Sequence, residues 1–220
     1  MLGSIKRLFG GGSSHQGWDA VAQWARGHGH VFKRTRDQDG FVVEAAADDG
    51  WRLEWGPSQR DYILGGELRL RADLGAAPEL QLLTISRALM EALERQVFEE
   101  YTEDLQTRID THTPEEMRWL VMFPKYSTAE SRPLREYFGA VSNVPEAVSD
   151  WLQPPLSDKL IEVSQTWLAR EDRLVLIIQR GRLTLRTAMP QPDTARIEQV
   201  IALFDVAMRE SRRVARHFNS

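Results

Sequence analysis

Two stretches of this chain alternate between bulky apolar residues and charged ones. In Glu67-Leu68-Arg69-Leu70-Arg71-Ala72, a strand points Leu68, Leu70 and Ala72 one way and Arg69 and Arg71 the other. Trp51-Arg52-Leu53-Glu54-Trp55 alternates in the same manner, with Arg52 and Glu54 opposite Leu53 and the tryptophans. If the two strands are neighbours, one sheet face carries Arg52, Arg69 and Arg71 among Glu54 and Glu67. Guanidinium forks match phosphate and carboxylate oxygens, so Arg52, Arg69 and Arg71 can hold an anionic ligand. Cross-strand charge pairing on a solvated face accounts for the same residues without one.

The remaining chemistry-bearing residues are weaker. His28-Gly29-His30 with Asp37 and Asp39 offers ligand types for a divalent metal. These residues fall at a helix end and a hairpin turn, and an enzyme with a metal near His28 and His30 is the third-ranked reading. In Asp37-Gln38-Asp39-Gly40 the bidentate Glu that a calcium loop needs falls on Asp48, and strands flank the segment, so a hairpin turn explains it. Asp110 and His112 with Glu115 and Glu116 precede a helix, where acids complement the positive end of the dipole. No serine sits in a nucleophile elbow, and Gly10-Gly11-Gly12 lacks the lysine of a phosphate-binding loop. With 0 cysteines, thiolate metal sites, disulfides and cysteine nucleophiles are excluded. No catalytic residue, metal or cofactor is assigned, and the chain reads as non-enzymatic.

Bulk properties agree. A net charge of −4 lacks the basic footprint of a nucleic-acid-binding protein. The local run Arg209, Arg212, Arg213 and Arg216 complements the negative end of a terminal helix. A hydrophobic fraction of 42%, with 7 Trp and 8 Phe, supports a folded chain with a substantial core. Among the tryptophans, Trp119 and Trp167 lie in less regular stretches and are expected partly exposed, as partner-binding residues.

The elements that position these residues follow from periodicity and punctuation. Met1 to Phe9 form an amphipathic leader, with Leu2, Ile5, Leu8 and Phe9 on one face and Lys6 and Arg7 on the other. Such a leader makes weak contact with a membrane surface, and Gly10 to Ser14 reads as its tether. Trp18 to Arg26 is helical, and His30 to Arg36, Phe41 to Ala47 and Trp51 to Trp55 are strands. Tyr62 to Leu74 is extended, with a break at Gly65-Gly66. Pro78 is expected to open a helix running to Glu103. Thr113-Pro114-Glu115-Glu116 predicts a helix start, with Thr113 as cap, Pro114 in the first position and Glu116 completing a capping box. Farther on, Leu160 to Arg170 is taken as a strand, Leu174 to Ile178 as a buried strand, Leu183 to Met189 as its hairpin partner, and Thr194 to Arg216 as a helix.

The strand assignment at Leu160 rests on an internal echo. Gly66-Glu67-Leu68-Arg69-Leu70-Arg71 reappears as Gly181-Arg182-Leu183-Thr184-Leu185-Arg186. At the same offset, Leu82, Ile85, Leu89 and Leu93 map onto Ile197, Val200, Phe204 and Met208. Ala20-Val21 before Trp24 likewise matches Ala147-Val148 before Trp151. The expected fold is therefore α+β, with two tandem related units. Each is an antiparallel meander of three to four strands, flanked by an N-terminal helix and a long C-terminal helix. The organisation is a leader and tether over 1–15, a first unit over 16–104, a helical connector over 105–143 and a second unit over 144–220. In element order alone, each half is similar to the small acidic chaperones of bacterial secretion systems.

No motif identifies a family, and the leading reading is a non-catalytic, bacterial, cytoplasmic protein that binds another protein in the manner of an adaptor or chaperone. Peripheral contact at the inner face of the membrane and a homodimer are compatible with it, and nucleic acid is not. The alternative is a small-ligand sensor that takes an anionic metabolite or nucleotide on the strand arginines.

Overall fold

Leu82-Leu83-Thr84-Ile85 is an unbroken apolar run around one threonine, the pattern of a strand with both faces buried. In a computed structural model of the chain this run is the strand that joins the two halves of the molecule. The structure describes residues 12–37, 39–46, 50–75, 78–103, 113–126 and 131–218. These form seven helices: α1 (Gly12–Gly27), α2 (Arg87–Glu103), α3 (Glu115–Met122), α4 (Arg132–Tyr137), α5 (Pro145–Trp151), α6 (Leu156–Thr166) and α7 (Thr194–His217). The nine strands among them are β1 (Val31–Arg34), β2 (Phe41–Glu44), β3 (Trp51–Pro57), β4 (Gly66–Asp73), β5 (Leu82–Ser86), β6 (Lys125–Tyr126), β7 (Phe138–Ser142), β8 (Leu174–Gln179) and β9 (Arg182–Ala188). The leader residues Leu2, Ile5, Lys6, Arg7, Leu8 and Phe9 lie outside the described residues, as do Asp110 and His112.

The protein is α+β, and its nine strands form one sheet in the order β1-β2-β3-β4-β9-β8-β5-β7-β6. Every pairing is antiparallel. The first four strands make the expected meander. The hairpin β8–β9 then inserts between β4 and β5, so strands from both halves share one ladder. The middle of the chain contributes β6 and β7 to the same sheet, as well as α3 and α4.

The tandem repeat is not confirmed. The two echoed segments are β4 and β9, which pair directly with each other, Leu70 opposite Leu185. Downstream the equivalence fails, because Leu82 and Ile85 belong to β5 whereas Ile197 and Val200 belong to α7. Their glycines also do different work. Gly181 sits at φ 69° in the β8–β9 turn, beside Arg180 at φ 50°. Gly66 lies where a Cβ would overlap the carbonyl oxygen of Met189 and press on the Trp55 ring. What the segments share is a strand pattern that suits the centre of a sheet.

Three expectations change with this topology. The helix anticipated from Pro78 begins only at Arg87, since residues 82–86 are drawn between β7 and β8, where all five are buried. The strand anticipated over 160–170 is α6, whose Leu156, Leu160 and Val163 recur at helical spacing and are fully buried. At the other end, α1 starts at Gly12, inside the stretch expected to be tether.

Helices lie on both faces of the sheet. On one face Leu53, Leu68, Leu70, Leu176, Leu183 and Leu185 pack beneath α1, α5, α6 and α7, with Trp151 and Phe204 at the centre. On the other face Leu83, Ile85, Val141, Val175 and Ile177 pack under Leu89 and Leu93 of α2 and Met117, Trp119 and Leu120 of α3. This second apolar layer covers only part of its face. One row across the sheet reads Val31, Glu44, Arg52, Arg71, Thr184, Ile177, Leu83, Val141. The next row reads Lys33, Val42, Glu54, Arg69, Arg186, Val175, Ile85, Gly139. Both rows change from charged to apolar between β9 and β8.

Candidate binding face

The charged half of that face collects the three arginines singled out from the sequence, and it treats them differently. Arg52 stands opposite Arg71, and Arg69 stands opposite Glu54. Arg52 reaches the surface, where its Nε donates to Glu54 at 2.8 Å and its Nη1 to Glu44 at 3.3 Å. Arg71 is half-buried and forms no ion pair among the described residues, although its charge is felt by Glu54. Burial works to raise the Glu54 pKa, and the Arg52 hydrogen bond with the Arg71 and Arg69 charges outweighs it, leaving the carboxyl below its usual value.

Arg69 is only 8% exposed and belongs to an internal ionic cluster. Its Nη2 lies 3.1 Å from Glu54 Oε2. On the neighbouring strand, Arg186 donates from Nη1 to Glu67 Oε1 at 2.5 Å, with Glu67 1% exposed. The backbone N–H of Gln59 donates to the second oxygen of Glu67 at 2.9 Å, so the loop after β3 closes over the pair. Burial is the largest influence on Arg69 and pulls its pKa down, against Glu67 and Glu54. A guanidinium this enclosed holds the sheet together and does not meet a ligand from solvent.

The same loop is tied to α3. Glu116 is fully buried, accepts from Arg60 Nε at 2.6 Å, and also accepts from the Tyr62 hydroxyl. Burial would raise the Glu116 pKa, but Arg60 and Tyr62 hold it below the usual carboxylate value. Tyr62 is pushed far up, first by burial and then by the Glu116 charge. Glu116 therefore anchors a loop and does not complete the expected capping box. Pro114 is the N-cap residue, and α3 has no side-chain cap.

The open part of the face ends in a notch of about 330 Å³ lined by Gly50, Arg52, Arg71, Asp73 and Arg182, among others. Arg182 lies opposite Asp73 in the β4–β9 register and donates from Nε to its Oδ1 at 3.0 Å. Arg212 reaches in from α7, donating from Nη2 to the Asp73 carbonyl at 3.4 Å. A Cβ on Gly50 would lie 3.5 Å from that same Nη2, which puts the guanidinium beside the notch rim. Neither Arg182 nor Arg212 is among the ligand-binding candidates read from sequence, where Arg212 belongs only to the basic run at the end of the terminal helix. Arg182 was legible in principle, because Arg182, Thr184 and Arg186 share one strand face. Nothing local announces Arg212, which arrives from a helix on the far side of the chain.

The other expected sites resolve individually. Trp119 is 5% exposed and packs in the second apolar layer, so it is a core residue and not the exposed contact anticipated. Trp167 is half-buried and lies under the Arg196 guanidinium, 4.4 Å from ring centroid to Cζ, with its carbonyl accepting from Arg196. His28 bonds through Nδ1 to the Trp24 carbonyl, and His30 Nδ1 accepts from the Ala46 N–H. With that nitrogen accepting, the His30 ring is held by the hairpin. Asp39 accepts from Thr35 within the β1–β2 turn, as the hairpin reading requires. Among the described residues no group of three or more His, Cys, Asp or Glu side chains is placed to hold a metal ion.

The fold and face define an α+β protein with one mixed-chain antiparallel sheet, covered by helices on one face and half of the other. No family model matches the chain, and no curated protein matches it. Among solved structures it is similar to the mycobacterial trehalose monomycolate transport factor A, TtfA, at 8% identity and a TM-score of 0.47. That likeness covers 88% of this chain and 95% of the other. Agreement at that level transfers neither residues nor activity.

Proposed function

We propose that this chain is a non-catalytic binding protein, an adaptor or chaperone-like factor, that docks a partner polypeptide on the open, charged half of its sheet. The observation that carries this reading is the change of character along the two sheet rows. Ile177, Leu83 and Val141 are roofed by α2 and α3, whereas among the described residues no apolar layer lies above Glu44, Arg52 and Arg71 in the same row. A sheet face with alternating charges, and an edge at β1 that pairs with no further strand among the described residues, offers both side-chain contacts and backbone pairing. Arg52 and Arg182 at its surface suit acidic segments of a partner. The proposed setting is the bacterial cytoplasm; no helix among the described residues is long and apolar enough to cross a membrane.

Site-specific photo-crosslinking in producing cells tests this. A crosslinker replacing the exposed Lys33 on β1 is expected to give one discrete adduct that disappears when Arg52 is changed to Glu. The same crosslinker replacing exposed Gln199 on α7 is the control. Equal labelling from both positions, or none from Lys33, would overturn the docking face.

A further inference from the structure

We infer that the notch at the ends of β3, β4 and β9 is a binding site for a phosphate group, held by Arg52, Arg71, Arg182 and Arg212. This rests on reading the open face as a binding surface, and it names the chemistry of what that face holds. Three guanidiniums, Arg52, Arg71 and Arg182, line it from three strands, and Arg212 of α7 stands beside it at Asp73 and Gly50. Their acidic partners leave donors over. Arg52 commits Nε and Nη1 to Glu54 and Glu44, and Arg182 commits Nε to Asp73. Arg212 touches only a backbone carbonyl through Nη2, and Arg71 has no ion pair among the described residues. The unused donors therefore sit on three strands around one cavity, with those of Arg212 at its margin.

Geometry favours phosphate over carboxylate. A carboxylate presents two oxygens and is satisfied by one guanidinium fork, whereas a phosphate monoester presents three terminal oxygens and close to two negative charges. Arg52 and Arg71 are direct cross-strand partners, a like-charge pair that an anion between them neutralises. The notch, of about 330 Å³, leaves room beside a phosphate for the molecule that carries it. Two carriers share this chemistry, a small organic phosphate and a phosphorylated side chain of a docked polypeptide.

The larger depression near the other edge of the sheet, lined by Arg87, Lys125 and Arg135, does not compete. There Arg87 is engaged by the carbonyls of Arg135 and Phe138, and Lys125 by Glu94.

Line broadening in solution NMR of the full chain, with phenyl phosphate, benzoate and a phosphoserine peptide as probes at millimolar concentration, tests the site. Phenyl phosphate is expected to broaden, and Arg71→Ala or Arg182→Ala should each weaken its binding about tenfold or more, the loss of one charge-assisted contact. Arg170→Ala, which removes an exposed arginine lining that second depression, should leave binding unchanged. Tighter binding of the phosphoserine peptide supports the site with a polypeptide as carrier, and tighter binding of phenyl phosphate supports it with a small metabolite. No broadening by the unaltered protein would overturn the proposal. So would equal binding of benzoate, or binding that survives the Arg71→Ala/Arg182→Ala double change. A discrete adduct from Lys33 without phosphate binding would retire the notch and leave the docking face standing.

Discussion

Arg52 and Arg71 stand directly opposite each other on the neighbouring strands β3 and β4. Like charges in that position repel, and Glu44 and Glu54 flank Arg52 but leave Arg71 without an ion pair among the described residues. Within the fold, the pull of Arg71 on the Glu54 carboxylate is what offsets that repulsion.

Replacing Arg71 with Thr should stabilise the fold while weakening phosphate binding about tenfold or more. The expected gain is a few tenths of a kcal/mol, at most about 1 kcal/mol, the scale of cross-strand pair energies. Urea denaturation of the two proteins measures it. A loss of stability would mean that Arg71 has a structural role.

Glu116→Gln should do the opposite. It leaves Arg60 and the Tyr62 hydroxyl facing a neutral amide in a buried site. Removing one member of a buried pair costs about 3–5 kcal/mol when both charges are enclosed. The Arg60 side chain is 23% exposed and rehydrates in part, so a loss of about 2–3 kcal/mol is expected from chemical denaturation.

The same cluster sets a pH dependence at both ends of the scale. The Glu116 and Glu54 carboxyls lie below their usual 4.5 in the folded protein. Their contribution is complete above that value and is lost as pH falls through the depressed folded pKa. Tyr62 is shifted the other way, so its contribution is complete below its usual 10.0 and is lost as pH rises beyond it. Stability should be flat between these limits, and Tyr62→Phe should abolish the alkaline fall. Thermal unfolding across pH reads both.

Two glycines that look equivalent in the sequence should respond to alanine for different reasons. Gly181→Ala places a side chain at φ 69° and is expected to lose about 1–2 kcal/mol. In Gly66→Ala the new Cβ meets a backbone carbonyl that also accepts from Trp55 Nε1 at 2.8 Å, with an expected loss of about 1–3 kcal/mol. Arg180→Asn in the same turn as Gly181 should stabilise, because Asn tolerates the left-handed φ of 50° that Arg180 occupies. Equilibrium unfolding of the three variants checks the set. If an added Trp55→Phe change relieved the Gly66→Ala loss completely, the carbonyl overlap would be the wrong cause.

Local pattern reached a definite part of this molecule. Alternation along Trp51–Trp55 and Glu67–Ala72 determined which side chains share a sheet face, because successive strand residues point to opposite sides whatever the partner strand is. It likewise determined the β8–β9 hairpin and the long α7, whose apolar residues recur at helical spacing. Where the local signal was an unbroken apolar run, it failed. Leu82–Ser86 satisfies a helix or a strand equally, and only its place between β7 and β8 decides in favour of strand. The periodicity of α6 was misjudged for a related reason: matched strand segments suggested a duplication, and pairing between β4 and β9 shows them to be neighbours in one ladder. Which arginines face a ligand was also beyond local reading. Arg69 and Arg71 are indistinguishable two residues apart on one strand, yet the first is buried and paired with Glu54 while the second is only half-buried and without an ion pair among the described residues. Chain neighbours determine the face of a strand, since that is a matter of backbone geometry. Burial, charge partners and the arrival of Arg212 from α7 depend on residues far away in sequence, and only the tertiary fold brings those together.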